Sequence, residues 1–411
     1  MDNKKHFVIL GGNMLLRGVY DKLKEYGYIV IVVDWNEEPA LKGDLHIQLD
    51  VKNSECVLHA LQSLEVFVDG CISCIDLAVP TVNVVNKWCG NKVMPENFMK
   101  VLTKSEMRDC WLRDNIFGRI SRLDSDFSIE DIYLLNKQSK LIIKPNVAAS
   151  SRGITIIEKN QSRDFIVSAL DKAKELSFDA HCLVEEFVEG REFTVDMLGD
   201  DTGNVSVYAI SVKYHSKNAL NNRVATKLHW NSNVYSNEIY EKIADIGKRC
   251  YKSIGLKNSF GHLEIIMRED GSFSPVEIGA RSSGYICSHL VSAAAERDYL
   301  MDYIKMLKGE YIEPIDHINS KTSSMWYGYD IPKDSYSVCE SNLAKYLPSK
   351  IDVIYSKRNG LMSDRHYGGM VDDNSRDDYG FEMMVGPKSV LTIDNILEAE
   401  KSFLDEFLGE F

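Results

Sequence analysis

Apolar runs alternate with helix-spaced polar stretches over the first part of the chain. HFVILGG reads as a buried strand ending in glycines, residues from about 14 to 26 as a helix, and YIVIVVD as a second buried strand ending in Asp34. Segments near 45–49 and 70–73 continue the pattern, with a helix between them at about 53–64. Strands that are apolar throughout and separated by helices predict a parallel sheet covered on both faces. From about 96 to 136 the chain is helical and charged. The pattern then changes: LIIKP, GITIIE, CLVEEFV, EFTVDML and VSVYAISVKY are strand-like runs joined by short turns, an antiparallel-rich α+β region. A helix follows at about 237–254, and the strands FGHLEIIMRED and SFSPVEIG are joined by Asp270-Gly271, a strong hairpin signal. A helix is expected over about 292–308, and the final GFEMMVGPKSVLTIDNILEAEKSFLDEFL reads as strand, turn and amphipathic helix.

Composition narrows the class. The 411 residues suit two or three domains better than one core, with an ordinary soluble balance of 44% hydrophobic and 27% charged residues. A net charge of -13, from 48 basic and 61 acidic residues, argues against nucleic-acid or membrane partners. A local basic pocket can still take an anionic substrate. Nine irregularly spaced cysteines point to reduced thiols in a cytoplasm. Cys71 and Cys74 form a lone C-x-x-C with no second pair to complete a metal site, and read as buried structural thiols. The opening MDNKKHFVILGG runs straight into a strand, so neither a signal peptide nor a membrane span is expected. Gly11-Gly12-Asn13 and Asp34 invite a dinucleotide reading, but Gly18 falls at the wrong interval for G-x-G-x-x-G. A glycine turn that lets the chain bend, or touches a substrate, is the plainer expectation.

The chemistry concentrates on the hairpin from Glu264 to Glu277. Each glutamate stands within an apolar strand, LEII and PVEIG. A carboxylate there is costly unless something compensates it. Two on paired strands can share a hard cation, and magnesium keeps phosphate oxygens in its shell, so the pair suggests a nucleotide triphosphate site. An exposed, solvated sheet face is the bland alternative. Arg281, in EIGARSSGY, can clamp a carboxylate or an acyl phosphate through parallel hydrogen bonds, or simply pair with a nearby acid. In IIKPNVAASSRGITII, Lys144 ends a strand and can reach phosphates, while the small residues through Ser150, Ser151, Arg152 and Gly153 form a turn whose N–H groups can cover them. In CLVEEFVEGREFTVDML, an acidic strand ends at Val188 and Glu192 opens the next, with Gly190 in the turn. Lys213, Lys217, Arg223 and Lys227 hint at an anionic substrate, and equally suit a solvated loop.

These segments, in this order, resemble the ATP-grasp superfamily from about Lys104 to Leu300. The resemblance implies α/β plus α+β architecture: a Rossmann-like N-terminal domain followed by a two-subdomain ATP-grasp fold. The expected boundaries are 1–95 for the first domain, 96–310 for the ATP-grasp domain with a hinge near 185–192, and 311–411 for a C-terminal α+β subdomain. Carried onto matching residues, Lys104 and Lys144 are the nucleotide lysines, and Ser150, Ser151, Arg152 and Gly153 the phosphate loop. Glu185, Glu186, Phe187 and Val188 are the adenine hinge, Glu192 the ribose acid, and Glu264 and Glu277 the metal ligands. Many members have Asn two residues after the second metal glutamate, where this chain has Gly279. The spacing of Glu277 and Arg281 is similar to the amino-acid ligase branch, where the arginine is expected to stabilise the acyl phosphate. By the same resemblance Ser283, Gly284 and Tyr285 line the substrate pocket, and His262 stands either behind the metal site or packed in its strand.

The implied cofactors are ATP and magnesium, with manganese as an alternative. The implied reaction is ADP-forming ligation of small-molecule carboxylate and amine substrates through an acyl phosphate, with Lys144 and Arg281 as the catalytic side chains. A homodimer through the first domain is the family-based expectation. The competing readings are a carboxylase-like or purine-pathway ligase of the same fold, and a non-catalytic ATP-binding regulatory protein.

Overall fold

The computed structural model describes residues 5–13, 16–116, 118–148, 153–215, 225–283, 287–315, 321–327, 343–357 and 381–408. Strands β1 (His6–Leu10), β2 (Ile29–Asp34), β3 (Leu45–Gln48) and β4 (Val68–Ser73) form the expected parallel sheet, in the order β3-β2-β1-β4. Helices α1 (Arg17–Glu25), α2 (Ser54–Ser63) and α3 (Val79–Trp88) connect them. Strand order reverses between β1 and β4, so a crevice opens at their carboxyl ends. Gly11 leaves β1 there, and the 3-10 turn Asp76–Ala78 follows β4.

The dinucleotide reading ends at this turn. The Asp34 carboxylate accepts the Gly12 N–H at 2.6 Å and two Asn36 donors at 2.8 Å each. A Cβ on Gly12 would stand 2.5 Å from Pro39 Cβ and 2.7 Å from the Leu41 carbonyl oxygen. The glycine turn therefore closes on its own chain, and Asp34 is spent holding it.

Helix α4 (Lys104–Arg113) leads into a small antiparallel sheet of β5 (Ser121–Leu123), β6 (Leu141–Pro145), β7 (Thr155–Ile157) and β8 (Cys182–Glu186), ordered β5-β8-β6-β7. Helices α5 (Ile129–Gln138) and α6 (Arg163–Glu175) cover it through Ile132, Ile143, Ile166, Leu170 and Val184. Ser128 and Asp131 form a reciprocal capping box at the start of α5.

The large sheet has eight strands. These are β9 (Arg191–Gly199), β10 (Val205–His215), β11 (Ala225–Trp230), β12 (Ser259–Met267), β13 (Phe273–Gly279), β14 (Lys321–Tyr327), β15 (Asp352–Lys357) and β16 (Phe381–Pro387). They are ordered β13-β12-β9-β10-β11-β14-β16-β15, so the strands beyond residue 311 continue the sheet begun by β9. Alternation along β9 sorts its two faces. Phe193, Val195 and Met197 join the core under α4 and α7 (Asn237–Ile254). Glu192, Thr194 and Asp196 take the opposite face, which looks into the cleft.

The single helix expected over 292–308 is two. Helix α8 (Ser292–Ala295) stops at Glu296, whose φ is +50°, and α9 (Tyr299–Leu307) restarts with Asp298 accepting the Met301 N–H. An N-cap aspartate in the middle of an apolar run splits it. Leu290, Ala294, Tyr299 and Tyr303 fill the space between the parallel sheet and the large one, fusing both into one core. Among the described residues no helix is long and apolar enough to cross a membrane.

Candidate active site

Asn146 brings the first two cations together. Its backbone oxygen accepts the Lys104 N–H at 3.1 Å and its side-chain oxygen accepts the Ser105 N–H at 2.9 Å, satisfying the exposed start of α4. Asn146 is two residues beyond Lys144, so this cap fixes the end of β6 against the lysine at the head of the helix. Lys104 Nζ donates to the Ala148 carbonyl at 3.0 Å and lies 3.6 Å from Glu277 Oε2.

Behind them sits Glu185, fully buried on β8. It accepts from Arg108 Nε at 2.6 Å, Arg119 Nη2 at 2.9 Å, Ser121 Oγ at 2.7 Å and Lys144 Nζ at 2.5 Å. Three cations converge on one carboxylate, so these four groups are positive on balance. Burial opposes the Glu185 charge, yet Arg108, Lys144 and Arg119 hold its pKa well below the carboxylate range. Burial, with repulsion from Arg108 and Arg119, brings Lys144 down to about 7 despite its pairing with Glu185. Positive charge buried at a cost is charge that a phosphate can relieve.

The polar face of the large sheet supplies the acids. Glu264 and Glu277 are direct partners in the antiparallel register of β12 and β13, so they project together. Lys213 donates to Glu192 at 2.7 Å and also to Glu264, while His215 Nε2 lies 3.2 Å from the second Glu192 oxygen. Burial works against both charges, but the pairing wins: Glu192 titrates well below its ordinary range and Lys213 above its own. Glu277 is held down against burial by Lys104, Lys144, Arg281 and Lys213. Residues scattered from 104 to 281 in sequence thus act on one carboxylate.

Arg281 closes the site from the other side. Its Nε and Nη2 donate to the two oxygens of Asp76 at 2.7 and 2.8 Å, and its Nη1 donates to the Ser282 carbonyl at 3.0 Å. The Asp76 partner outweighs burial and raises the Arg281 pKa. His262 is tied to Asp196 at 2.9 Å, and Asp196 accepts the Trp230 indole N–H at 3.0 Å. Asp76, Lys104, His262, Glu277 and Arg281 line one cleft of about 490 Å³, a size typical of small-molecule sites. Ser282 and Ser283 are buried beside it with hydroxyls that have no hydrogen-bond partner.

The strap between the two sheets is ordered by its own backbone. The Glu186 N–H donates to Ile120 O at 3.0 Å, its carboxylate accepts the Ile120 N–H at 3.2 Å, and the Phe187 N–H donates to Lys140 O at 2.8 Å. Val188 is buried. Gly190 follows with φ +151°, and a Cβ there would be 2.1 Å from the Met267 carbonyl oxygen, so only glycine fits this crossing. Gly153 has φ +72°, beside Pro145. Ser150, Ser151, Arg152, Gly284 and Tyr285 lie outside the described residues, as do Lys217 and Arg223. Lys213 and Lys227 do not form a basic loop: the first is bound by Glu192 and Glu264, and the second pairs with Glu400 at 2.8 Å.

A family model described as an ATP-grasp domain matches residues 137–289. The chain carries an ATP-grasp domain. D-alanine–D-alanine ligase from Actinobacillus succinogenes is 28% identical over 145 residues, covering 34% of this chain and 43% of that protein. Alanine–anticapsin ligase from Bacillus subtilis strain 168 is 25% identical over 203 residues, covering 44% of this chain and 41% of the relative. The chain thus matches less than half the length of these curated relatives. The crystal structure of an L-amino acid ligase from Bacillus licheniformis superposes with a TM-score of 0.71 over 99% of this chain and 98% of that one, at 16% identity, which establishes a shared fold.

Within the ATP-grasp domain, the donor set suits the magnesium that the family uses. Glu264 and Glu277 offer oxygen ligands on one face and leave the remaining positions to phosphate and water. Lys213 and Lys104 occupy the flanks of these acids, where positive charge is wanted. Among the described residues no three His, Cys, Asp or Glu side chains cluster closely enough to hold an ion unaided. Sequence reading missed Arg108, Arg119, Asp76 and Asp196. Arg108 was findable, since it stands four residues after Lys104 on one helix face in KSEMR. Arg119 and Asp76 carry no local signal.

Proposed function

We propose that this protein is an ATP-dependent carboxylate–amine ligase, with an amino acid as one substrate, that forms an amide through an acyl phosphate and releases ADP and phosphate. The observation that carries this reading is the position of Glu277, paired with Glu264 and flanked by Lys104, Lys144, Lys213 and Arg281. That arrangement suits a triphosphate chain laid between a cationic corner and a pair of metal-binding acids. Strap residues 186–188 present backbone groups for the adenine, and Glu192 stands where ribose hydroxyls can meet it.

In the first step a substrate carboxylate oxygen attacks the γ-phosphorus and ADP leaves. Lys104 and Lys144 neutralise the phosphate oxygens and hold them in line. In the second step the amine adds to the acyl carbon, a proton leaves the nitrogen, and phosphate departs. Arg281 stabilises the charge that builds on the acyl phosphate and its tetrahedral adduct. Magnesium bound by Glu264 and Glu277 would supply further charge neutralisation along the phosphates. Free thiols at Cys71, Cys110, Cys182 and Cys250 support a reducing, cytoplasmic setting.

The test is ADP release from ATP and magnesium with pooled amino acids and amines, followed by mass spectrometry of the products. A product whose mass is the sum of acid and amine less water is expected. ATP that binds yet gives no ADP with any acid and amine pair would defeat the ligase reading and favour a regulatory one. Release that depends on bicarbonate alone would favour the carboxylase-like alternative.

A further inference from the structure

We propose that Asp76 and Arg281 form an exchangeable ion pair that opens to receive a zwitterion, so that the acyl donor is an amino acid with its α-ammonium on Asp76 and its carboxylate toward Arg281. The inference rests on the ligase reading and adds which substrate is the amino acid and what recognises it.

Three observations carry it. Asp76 belongs to the parallel-sheet domain, at the crevice where strand order reverses, and reaches across to the ATP-grasp domain through two hydrogen bonds of 2.7 and 2.8 Å. Gly279 makes that reach possible: a Cβ at this position would stand 2.8 Å from Asp76 Oδ1 and 3.2 Å from Arg281 Cγ. The side chain that many ATP-grasp proteins carry here would fill the place that the Asp76 carboxylate occupies. Neither member of the pair is sealed away, since their side chains are 28% and 16% exposed and both line the cleft with Lys104 and Glu277. A salt bridge that only joined domains would not need to face a cavity of ligand size.

Charge balance selects the ligand. A simple carboxylate drawn to Arg281 would sit beside Asp76 and be repelled by it. A zwitterion gives each partner an opposite charge and leaves none unpaired in the cleft. The same logic assigns it to the acyl position. A carboxylate partner keeps an ammonium protonated, which suits a spectator α-amino group and would disable a nucleophilic amine.

Hydroxylamine as the common nucleophile isolates donor choice, because every activated acid is then read as a hydroxamate. The donor panel is the common L-amino acids with D-alanine, set against des-amino counterparts such as propionate, 3-phenylpropionate and glutarate. Amino acids should yield hydroxamate at least tenfold faster than their counterparts. Asp76→Asn should raise the donor KM at least tenfold, narrow that ratio toward one, and leave the KM for ATP within twofold. Asp76→Glu should recover part of the preference. Des-amino acids used as well as amino acids by the wild type would overturn the clamp while leaving the ligase reading intact. So would an Asp76→Asn variant that slows both classes equally. ATP binding without hydroxamate from any donor would defeat both.

Discussion

Glu185→Gln changes one charge inside the cationic corner and almost nothing in its shape. The amide keeps one acceptor oxygen but turns an NH2 group toward Arg108, Arg119 and Lys144, which can only donate. The side chains of those three cations are at most 4% exposed, so water screens little of their repulsion. Removing one partner from such a buried cluster costs about 3–5 kcal/mol, a large part of the roughly 5–15 kcal/mol that holds a domain together. With an m-value of about 2–3 kcal/mol/M, the urea midpoint should fall by roughly 1–2 M. ADP offers a second test, because its phosphates bring negative charge back to Lys144. It should raise the midpoint of Glu185→Gln by more than that of the wild type at matched saturation. A variant that unfolds within about 0.5 kcal/mol of the wild type, the size of an ordinary surface substitution, would refute the charge-balance argument. Equal stabilisation of both proteins by ADP would show that the corner does not sense phosphate.

Three further outcomes follow from the same site and its surroundings. Lys144, held near 7, is largely neutral at pH 8.5 without ligand, and phosphates should recharge it. Nucleotide binding should therefore take up close to one proton at pH 8.5 and almost none at pH 5.5, read by calorimetry in buffers of different ionisation enthalpy, with uptake abolished in Lys144→Met. Glu277 is 38% exposed and its nearest cation is 3.6 Å away, so Glu277→Gln should leave the unfolding midpoint within about 1 kcal/mol. ADP formation should fall by about 10²–10³-fold, as when one transition-state stabiliser is lost. His229 is fully buried with no hydrogen-bond partner for either ring nitrogen, and burial lowers its pKa from 6.5 to about 4. The unfolded chain takes up a proton near 6.5 while the folded one resists until about 4. Stability should thus drop by about 1.4 kcal/mol per pH unit across that window, and His229→Leu should flatten this part of the curve in denaturant titrations from pH 7 to 5.

Much of the site was legible because strands write their faces into the sequence. In EFTVDML every second residue is polar, and those residues, Glu192, Thr194 and Asp196, line the cleft. Glu264 and Glu277 stood out because carboxylates rarely interrupt apolar strands without a reason, and their register places them opposite each other. What stayed hidden was partner choice. Glu185 reads as one acid of an acidic strand, but its burial among Arg108, Arg119 and Lys144 is a property of three elements meeting. Lys213 and Lys227 look like loop cations until their strands pair and hand them to Glu192, Glu264 and Glu400. The break at Glu296 was missed because helical periodicity runs on past a cap residue that ends one helix and starts another.

Gly279 shows how an absence in sequence becomes a presence in structure. On its own it reads as a missing metal ligand, which makes the site look deficient. In the fold it is a clearance: without a side chain there, an acid more than two hundred residues earlier in the chain can reach Arg281. The side chain lost from one strand and the carboxylate supplied by another domain are therefore a single feature. Gly279→Ala tests that coupling directly. Its Cβ would lie 2.8 Å from Asp76 Oδ1, closer than packed atoms tolerate, so the pair must shift or part. Double-mutant analysis gives the sharpest reading. If Gly279 and Asp76 act as one unit, Asp76→Asn should cost far less in the Gly279→Ala background than in the wild type, with a coupling of about 0.5–3 kcal/mol in donor kcat/KM. Strictly additive losses would mean that the close approach of the two residues has no part in binding the donor.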